Sequence, residues 1–322
     1  MPLRGALQHF VFASLVLTCA PALAQKYPTK PIRLIVPYAP GGSSDIIARL
    51  YAQRLTETMG QTFVVDNRPG AGGTIGTDIT AKSTPDGYTL LLQDMPHTIN
   101  PAVYGKVPYD PLRDFEPVTL VARAPQWLFV FPAVPAKTVS ELVALAKAQP
   151  GNLKIGSAGN GSGTHLMAEL LMRGAGIRLN HVPYKGAGPA LVDLIAGQVQ
   201  MMCTSPLPSM PHVKSGKLRA LAMTGPKRAS FAPDVPAVAE TLPGYQTTLW
   251  YALYAPAGTP QAIVKRIYDD TLKILRTKEL TQQLESQGAE PVGNTPQELQ
   301  KFVQTEIAQW TRLVKQARIT AD

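Results

Sequence analysis

The sequence predicts an α/β protein of two lobes, each a mainly parallel sheet flanked by helices. Three observations carry this. Short apolar strands alternate with helical stretches at close spacing, the pattern of parallel strands joined by crossovers. A strand, a glycine loop and a helix start occur near Ile32–Gly60 and again in the stretch that opens at Leu153. Two longer strand-like runs, 116–131 and 247–254, suit a chain passing from one lobe to the other and back.

Ile32 to Val36 is a β-branched apolar run and reads as a buried parallel strand. Pro37 to Gly42 break it, and either Ser43 or Ser44 can cap the helix that follows, with Asp45 in its first turn. Ile46, Ile47, Leu50, Tyr51, Leu55 and Met59 recur at helical spacing, and Gly60 stops the helix. Thr62 to Asp66 forms the next strand, Asn67 to Gly73 a second glycine loop, and Thr74 to Lys82 a helix. A turn at 85–88 then leads to a strand from Thr89 to Leu92.

After the first crossing run, which Pro125 interrupts, Thr138 to Glu141 is a capping box for a helix that ends at Pro150-Gly151. Leu153 to Ile155 is a strand, residues 156–163 a glycine-rich loop, and Thr164 begins a helix carrying Leu166, Met167, Leu170 and Leu171. Further strands are expected at 180–182, 199–203 and 218–223, with a helix opening at Pro189 and closing at Gly197. Past the second crossing, Thr259-Pro260 and Thr295 to Glu298 open two amphipathic helices, which rejoin the first lobe. The expected division is 25–122 plus 253–322 for lobe 1 and 123–252 for lobe 2.

At 322 residues the chain is long enough for two cores, and its 30 prolines and 26 glycines are spread as punctuation. Residues 1–24 read as an export signal: Arg4, an apolar core from Phe10 to Ala20, and small residues at Ala22 and Ala24. Thr18 before Cys19 fits a lipoprotein signal poorly, so cleavage after Ala24 is expected, into the periplasm. That removes one of 2 cysteines, leaving Cys203 in an apolar strand as a buried structural thiol. The formal charge of +9 falls to +8 with the loss of Arg4. The basic residues are scattered, which argues against nucleic acid as a partner. A monomer is expected.

The first glycine loop and helix start read as the floor of an anion site. Gly41 and Gly42 allow close approach to the backbone, and first-turn N–H groups favour a carboxylate. Ligands of open α/β sheets bind beyond the carboxyl ends of the strands, so the two glycine loops should face each other across a cleft. The second loop lacks the Gly-Lys-Ser/Thr ending of a phosphate loop, its glycines do not fall as G-x-G-x-x-G, and neither Ser157 nor Ser162 is centred in G-x-S-x-G. No cofactor and no metal are expected: His165 has no second histidine at metal-binding spacing and either bonds the ligand or the glycine loop or is purely structural. Asp45 would repel an anion if it pointed inward, so a role capping loop N–H groups is expected. Asp94 could pair with a ligand amine if it reached the cleft, but is read as a solvated loop residue; Lys185 is read as solvent-facing, and the aromatics at 250–254 as hinge packing.

The stretches YPTKPIRLIVPYAPGGSSDIIAR, VVDNRPGAGG, PDGYTLL, HVPYKGAGPALVDLIAGQV and HVKSGKLRALAMT resemble, in order and spacing, the Bug family of periplasmic receptors for tripartite tricarboxylate transporters. The resemblance implies a periplasmic-binding-protein (Venus flytrap) fold that closes on a small organic acid or amino acid, then docks on integral-membrane permease subunits. It implies contacts from Tyr38, Ala39, Gly41, Gly42, Ser43 and Asp45 in the first lobe. In the second it implies Ser157, Asn160, Gly161, Ser162, Thr164, His165, Tyr184 and Thr204. Thr204 stands where an aspartate is common, and the 93–97 segment departs from the family's small polar loop, so no particular solute transfers. A receptor that signals to a membrane sensor is the alternative. A secreted α/β hydrolase is a further one, although no nucleophile–base pair stands at recognisable spacing.

Overall fold

The computed structural model describes residues 27–228, 232–245, 247–286 and 288–317; the expected export signal and Cys19 lie outside them. The first lobe opens with β1 (Ile32–Val36), α1 (Ser43–Met59), β2 (Phe63–Asn67), α2 (Thr74–Ala81), β3 (Thr89–Gln93), α3 (Pro96–Val103) and β4 (Phe115–Pro125). The second lobe holds β5 (Trp127–Val130), α4 (Val139–Ala148), β6 (Lys154–Ser157), α5 (Gly163–Ala175), β7 (Asn180–Pro183), α6 (Ala187–Ile195), β8 (Met201–Thr204), α7 (Pro206–Lys214) and β9 (Arg219–Met223). The chain returns through β10 (Thr248–Pro256) to α8 (Gln261–Leu275), α9 (Lys278–Glu285), β11 (Glu290–Pro291) and α10 (Pro296–Ala317).

The first sheet has the order β11-β4-β10-β3-β1-β2 and the second β7-β6-β8-β5-β9. This is the two-lobed α/β fold the sequence predicts, with mixed sheets. β1, β2 and β3 run parallel, as do β6, β7 and β8. β4 and β10 pair antiparallel with each other, and β5 runs antiparallel to β8 and β9. The reason is connectivity. β4 leaves the first lobe and β10 enters it, so the two crossing strands point opposite ways. β4 stays in the first sheet to Pro125, opposite Thr248.

The crossings are stitched together at one residue. Thr224 Oγ1 accepts the Gln126 N–H at 3.0 Å and donates to the Thr247 carbonyl at 2.9 Å. Its own N–H and carbonyl bond the Gln126 carbonyl and the Thr247 N–H. Both crossing strands are anchored by apolar burial: Leu120, Ala122, Tyr251, Ala252 and Leu253 have no appreciable exposure. Tyr251 and Tyr254, expected as hinge packing, are core residues, and Trp250 donates to Glu306 of α10 at 3.1 Å.

Of the two expected capping boxes, the one at Thr295 forms in full, and the one at Thr138 forms by half, its Glu141 carboxylate accepting from the Lys137 N–H in place of the Thr138 N–H. Thr138 accepts from the Glu141 N–H, and Thr295 and Glu298 exchange reciprocal bonds ahead of α10. Three helices escape sequence reading. α3 and α7 contain Pro101 and Pro211 in their interiors, and α9 is only 8 residues long. Pro189 is the third residue of α6 and not the first.

Candidate functional site

The carboxyl ends of β1, β3 and β6 carry the loops that meet between the lobes, and a cleft of about 670 Å³ lies there. Its walls are Tyr38, the Gly70–Gly73 loop and Tyr104 on one side. Ala158 to Asn160, Pro183 to Lys185 and Pro189 form the other. Tyr38 and Ala158 also line a smaller inner pocket of about 20 Å³, shared with Gly42, Ser43, Ser44, Asp94, Ser162, Gly163 and Thr164.

Two helix starts look into the inner pocket. α1 has Gly42 as its N-cap with no side-chain bond, so neither Ser43 nor Ser44 caps it. Ser43 and Ser44 are instead the first helical residues, and their N–H groups have no acceptor among the described residues. α5 is capped by Ser162, which accepts from the His165 N–H at 3.2 Å, leaving the Gly163 and Thr164 N–H groups without an acceptor among the described residues. Each helix end contributes partial positive charge, so the pair from opposite lobes makes one anion-attracting spot.

The loops are shaped by side chains that do not face the cleft. Gly41 adopts φ +86°, which glycine alone takes readily, and its N–H donates to Asp45 Oδ2 at 3.0 Å. Burial disfavours the Asp45 charge, yet bonds from Arg49, the Gly41 N–H and Asn67 outweigh it and hold the carboxyl below its usual range. Asp45 therefore supports the loop and lines neither cavity. In the second loop, Gly161 donates to His165 Nδ1 at 3.2 Å, so His165 braces the loop. His165 is not alone. His181 stacks on it with ring centres 4.2 Å apart and contacts Ser157 Oγ at 2.6 Å. Burial pulls both rings down to about 4, helped at His165 by its neighbour, so both are neutral at pH 7.

The Ser157–His181 contact is a serine–histidine pair that no spacing rule reveals. Ser157 is 0% exposed and its oxygen also accepts from Gly159, so no substrate carbonyl reaches it and the pair serves the loop. Thr204 is likewise buried, in register with Trp127, away from both cavities. Among the expected residues, Tyr38, Gly42, Ser43, Asn160, Ser162, Thr164 and Tyr184 line the cavities, whereas Ala39, Gly41 and Gly161 pack in contacts between the lobes, and Asp45, Ser157, His165 and Thr204 line neither cavity. Cys203 is a buried free thiol, pushed up to about 12 by burial.

Asp94 corrects the reading of a solvated loop. It is 5% exposed, accepts from Tyr38 Oη and Ser44 Oγ at 3.0 Å each, and is raised to about 7 by burial despite those two bonds. The Gly70–Gly73 loop and Tyr104 were also missed as wall residues. The loop had a visible signal, since it follows β2 as the first glycine loop follows β1.

The lobes touch across the cleft. Ala39 donates to the Lys185 carbonyl at 3.1 Å, and Tyr104 donates to the Asn160 carbonyl at 2.6 Å. What approaches Gly41 and Gly42 closely is the start of α6, with Gly188 Cα 3.8 Å from a Cβ built on Gly41. Gly188 in turn leaves no room for a Cβ beside the Pro40 carbonyl, and Gly72 none beside the Asn160 carbonyl. Lys185 lines the cleft wall.

Residues 47–319 match the family described as tripartite tricarboxylate transporter family receptor. The fold superposes on the periplasmic binding protein BugD with a TM-score of 0.89 and 34% identity, covering 91% of this chain and 99% of that one. An R. palustris protein solved with adipate gives 0.87 and 39%, over 91% and 99% of the two chains. MatC from Rhodopseudomonas palustris, solved with bound malate, gives 0.85 and 34%, over 89% and 100%.

Proposed function

The chain belongs to the tripartite tricarboxylate transporter family of receptors, and from that premise we propose that it captures a small carboxylate-bearing solute between its lobes. The loaded form then delivers the solute to the integral-membrane permease subunits of a transporter of that type. The observation that carries the reading is the convergence of the α1 and α5 N-termini, one from each lobe, on a single pocket. Preorganised backbone dipoles in a desolvated site bind an anion without an arginine. A carboxylate reaches them directly or through one bridging water. The solute completes its contacts only when both helix starts are brought together, so binding draws the lobes shut.

In this reading the chain is exported by residues 1–24, works in the periplasm as a monomer and performs no catalysis. The two moving bodies meet at Gln126 and Thr247, with Thr224 as the bridge between them. That the relatives were solved with adipate and with malate supports a small organic acid as the class of solute. Calorimetry on unfolded and refolded protein, against mono- and dicarboxylates, amino acids and aromatic acids, should find a binder. Silence across the whole panel counts against the proposal. Delivery is tested by pull-down from solubilised membranes: recovery of a permease supports it, and recovery of a sensor kinase alone replaces it with a signalling role.

A further inference from the structure

We propose that the solute is zwitterionic, an amino acid or another carboxylate with a protonated amine close to its acid group, and that the Asp94 carboxylate receives the ammonium. The proposal rests on the carboxylate reading above and narrows its class of solute.

Asp94 differs from the other buried carboxylates of the first lobe. Asp45 is paired with Arg49, and Asp270, 1% exposed, with Arg266 and Lys273. Asp94 has only the hydroxyls of Tyr38 and Ser44, which leaves about half of a carboxylate's acceptor capacity unused. The groups packed around it are Tyr38 from the loop after β1, Ser43 and Ser44 of α1, Tyr251 of β10, and Ser162 and Thr164 at the start of α5. No lysine or arginine stands among them. Lys185 is on the wall of the outer cleft. A buried carboxylate without a cation is costly and is kept where a ligand supplies the missing charge.

A plain dicarboxylate would bring negative charge beside Asp94 in a site shielded from water, where repulsion is strong. An α-amino acid carries both signs on one carbon. Its carboxylate suits the amides of Ser43, Ser44, Gly163 and Thr164, and its ammonium suits Asp94. The inner pocket, about 20 Å³, holds one water-sized group in this structure, so it admits the two charged ends of the solute only by widening around them. The rest of the solute extends past Tyr38 and Ala158 into the larger cleft.

The test is calorimetry on the full mature chain, unfolded and refolded, with matched pairs that differ only by the amine: succinate and aspartate, glutarate and glutamate, propionate and alanine, phenylpropionate and phenylalanine. At least one aminated member should bind tenfold or more tighter than its twin, and Asp94→Asn should reduce that preference to within about twofold. If acids bind but the deaminated twin is equal or tighter in each pair, this proposal is overturned and the carboxylate reading stands. If neither member of any pair binds, the carboxylate reading falls and takes this with it. Proton balance in the wild type covers a variant that does not fold. At pH 7, in two buffers of different ionisation enthalpy, an ammonium beside Asp94 should drive its proton off and give net release. Net uptake on binding the aminated ligand overturns the assignment.

Discussion

Replacing Asp94 by asparagine should stabilise the protein, and by an amount that depends on pH in one direction. Burial raises the carboxyl from 3.8 to about 7, so the folded state holds its proton more tightly than the unfolded state. Well below pH 3.8 both states are protonated and there is no penalty. As pH rises from about 4 to 7 the unfolded chain ionises first, and stability is lost through that window until the folded group ionises too. About three pH units of separation correspond to about 4 kcal/mol. Asparagine keeps the shape and the hydrogen-bonding capacity towards Tyr38 and Ser44 without the charge. The difference in melting temperature between variant and wild type should therefore be near zero at pH 4 and grow to about 8 °C at pH 8, at roughly 2 °C per kcal/mol for a chain of this size. Titration of the buried histidines acts equally on both proteins and cancels. Calorimetric melts at half-unit intervals from pH 4 to 8 measure it. Parallel curves, or a variant less stable throughout, would refute the account of a buried, uncompensated carboxylate.

Three further outcomes are expected. Gly188→Ala sets a methyl group against the Pro40 and Gly41 backbone of the other lobe, which supplies its three nearest atoms; solute affinity should fall at least 100-fold, about 3 kcal/mol, with the melting temperature of the solute-free protein unchanged. Affinity within threefold of wild type would mean that bound protein is not shut as described. Tyr104→Phe removes the bond to the Asn160 carbonyl across the cleft and should weaken binding about fivefold, the effect of about 1 kcal/mol, leaving fold and melting intact. His165 and His181, held down to about 4, favour the folded state above pH 6.5, and that contribution is lost as pH falls from 6.5 towards 4. Their ring resonances should stay neutral in NMR titrations from pH 8 to 5, and a midpoint near 6.5 would contradict the stacked, buried pair.

The parts of the fold that were legible are those where a local rule and the tertiary structure agree. β1 and α1 show this, with an apolar run, a glycine break, a helical apolar face and Gly60 in the left-handed conformation as the stop. So do the N-cap at Thr138 and the capping box at Thr295. The helices that were missed contain prolines or are short, and are held by packing: α3 is buried along most of its length, with His97 stacked on Tyr254 at 4.3 Å. In the site, glycine loops after strands announced themselves, and the role of Asp45 could be argued from helix electrostatics. Burial of Asp94 could not, because a single polar residue after a strand has the same local pattern whether water or Tyr38 satisfies it. Nor could the Ser157–His181–His165 stack, which joins positions separated by a whole helix and needs the parallel register of β6 with β7.

The decisive experiment is a structure of the protein purified without refolding, with the solute it carries. The account predicts a carboxylate oxygen about 3 Å from a first-turn amide of Ser43, Ser44, Gly163 or Thr164, or joined to one by a single water. A solute held only by side chains of the outer cleft, with nothing directed at either helix start, would contradict it.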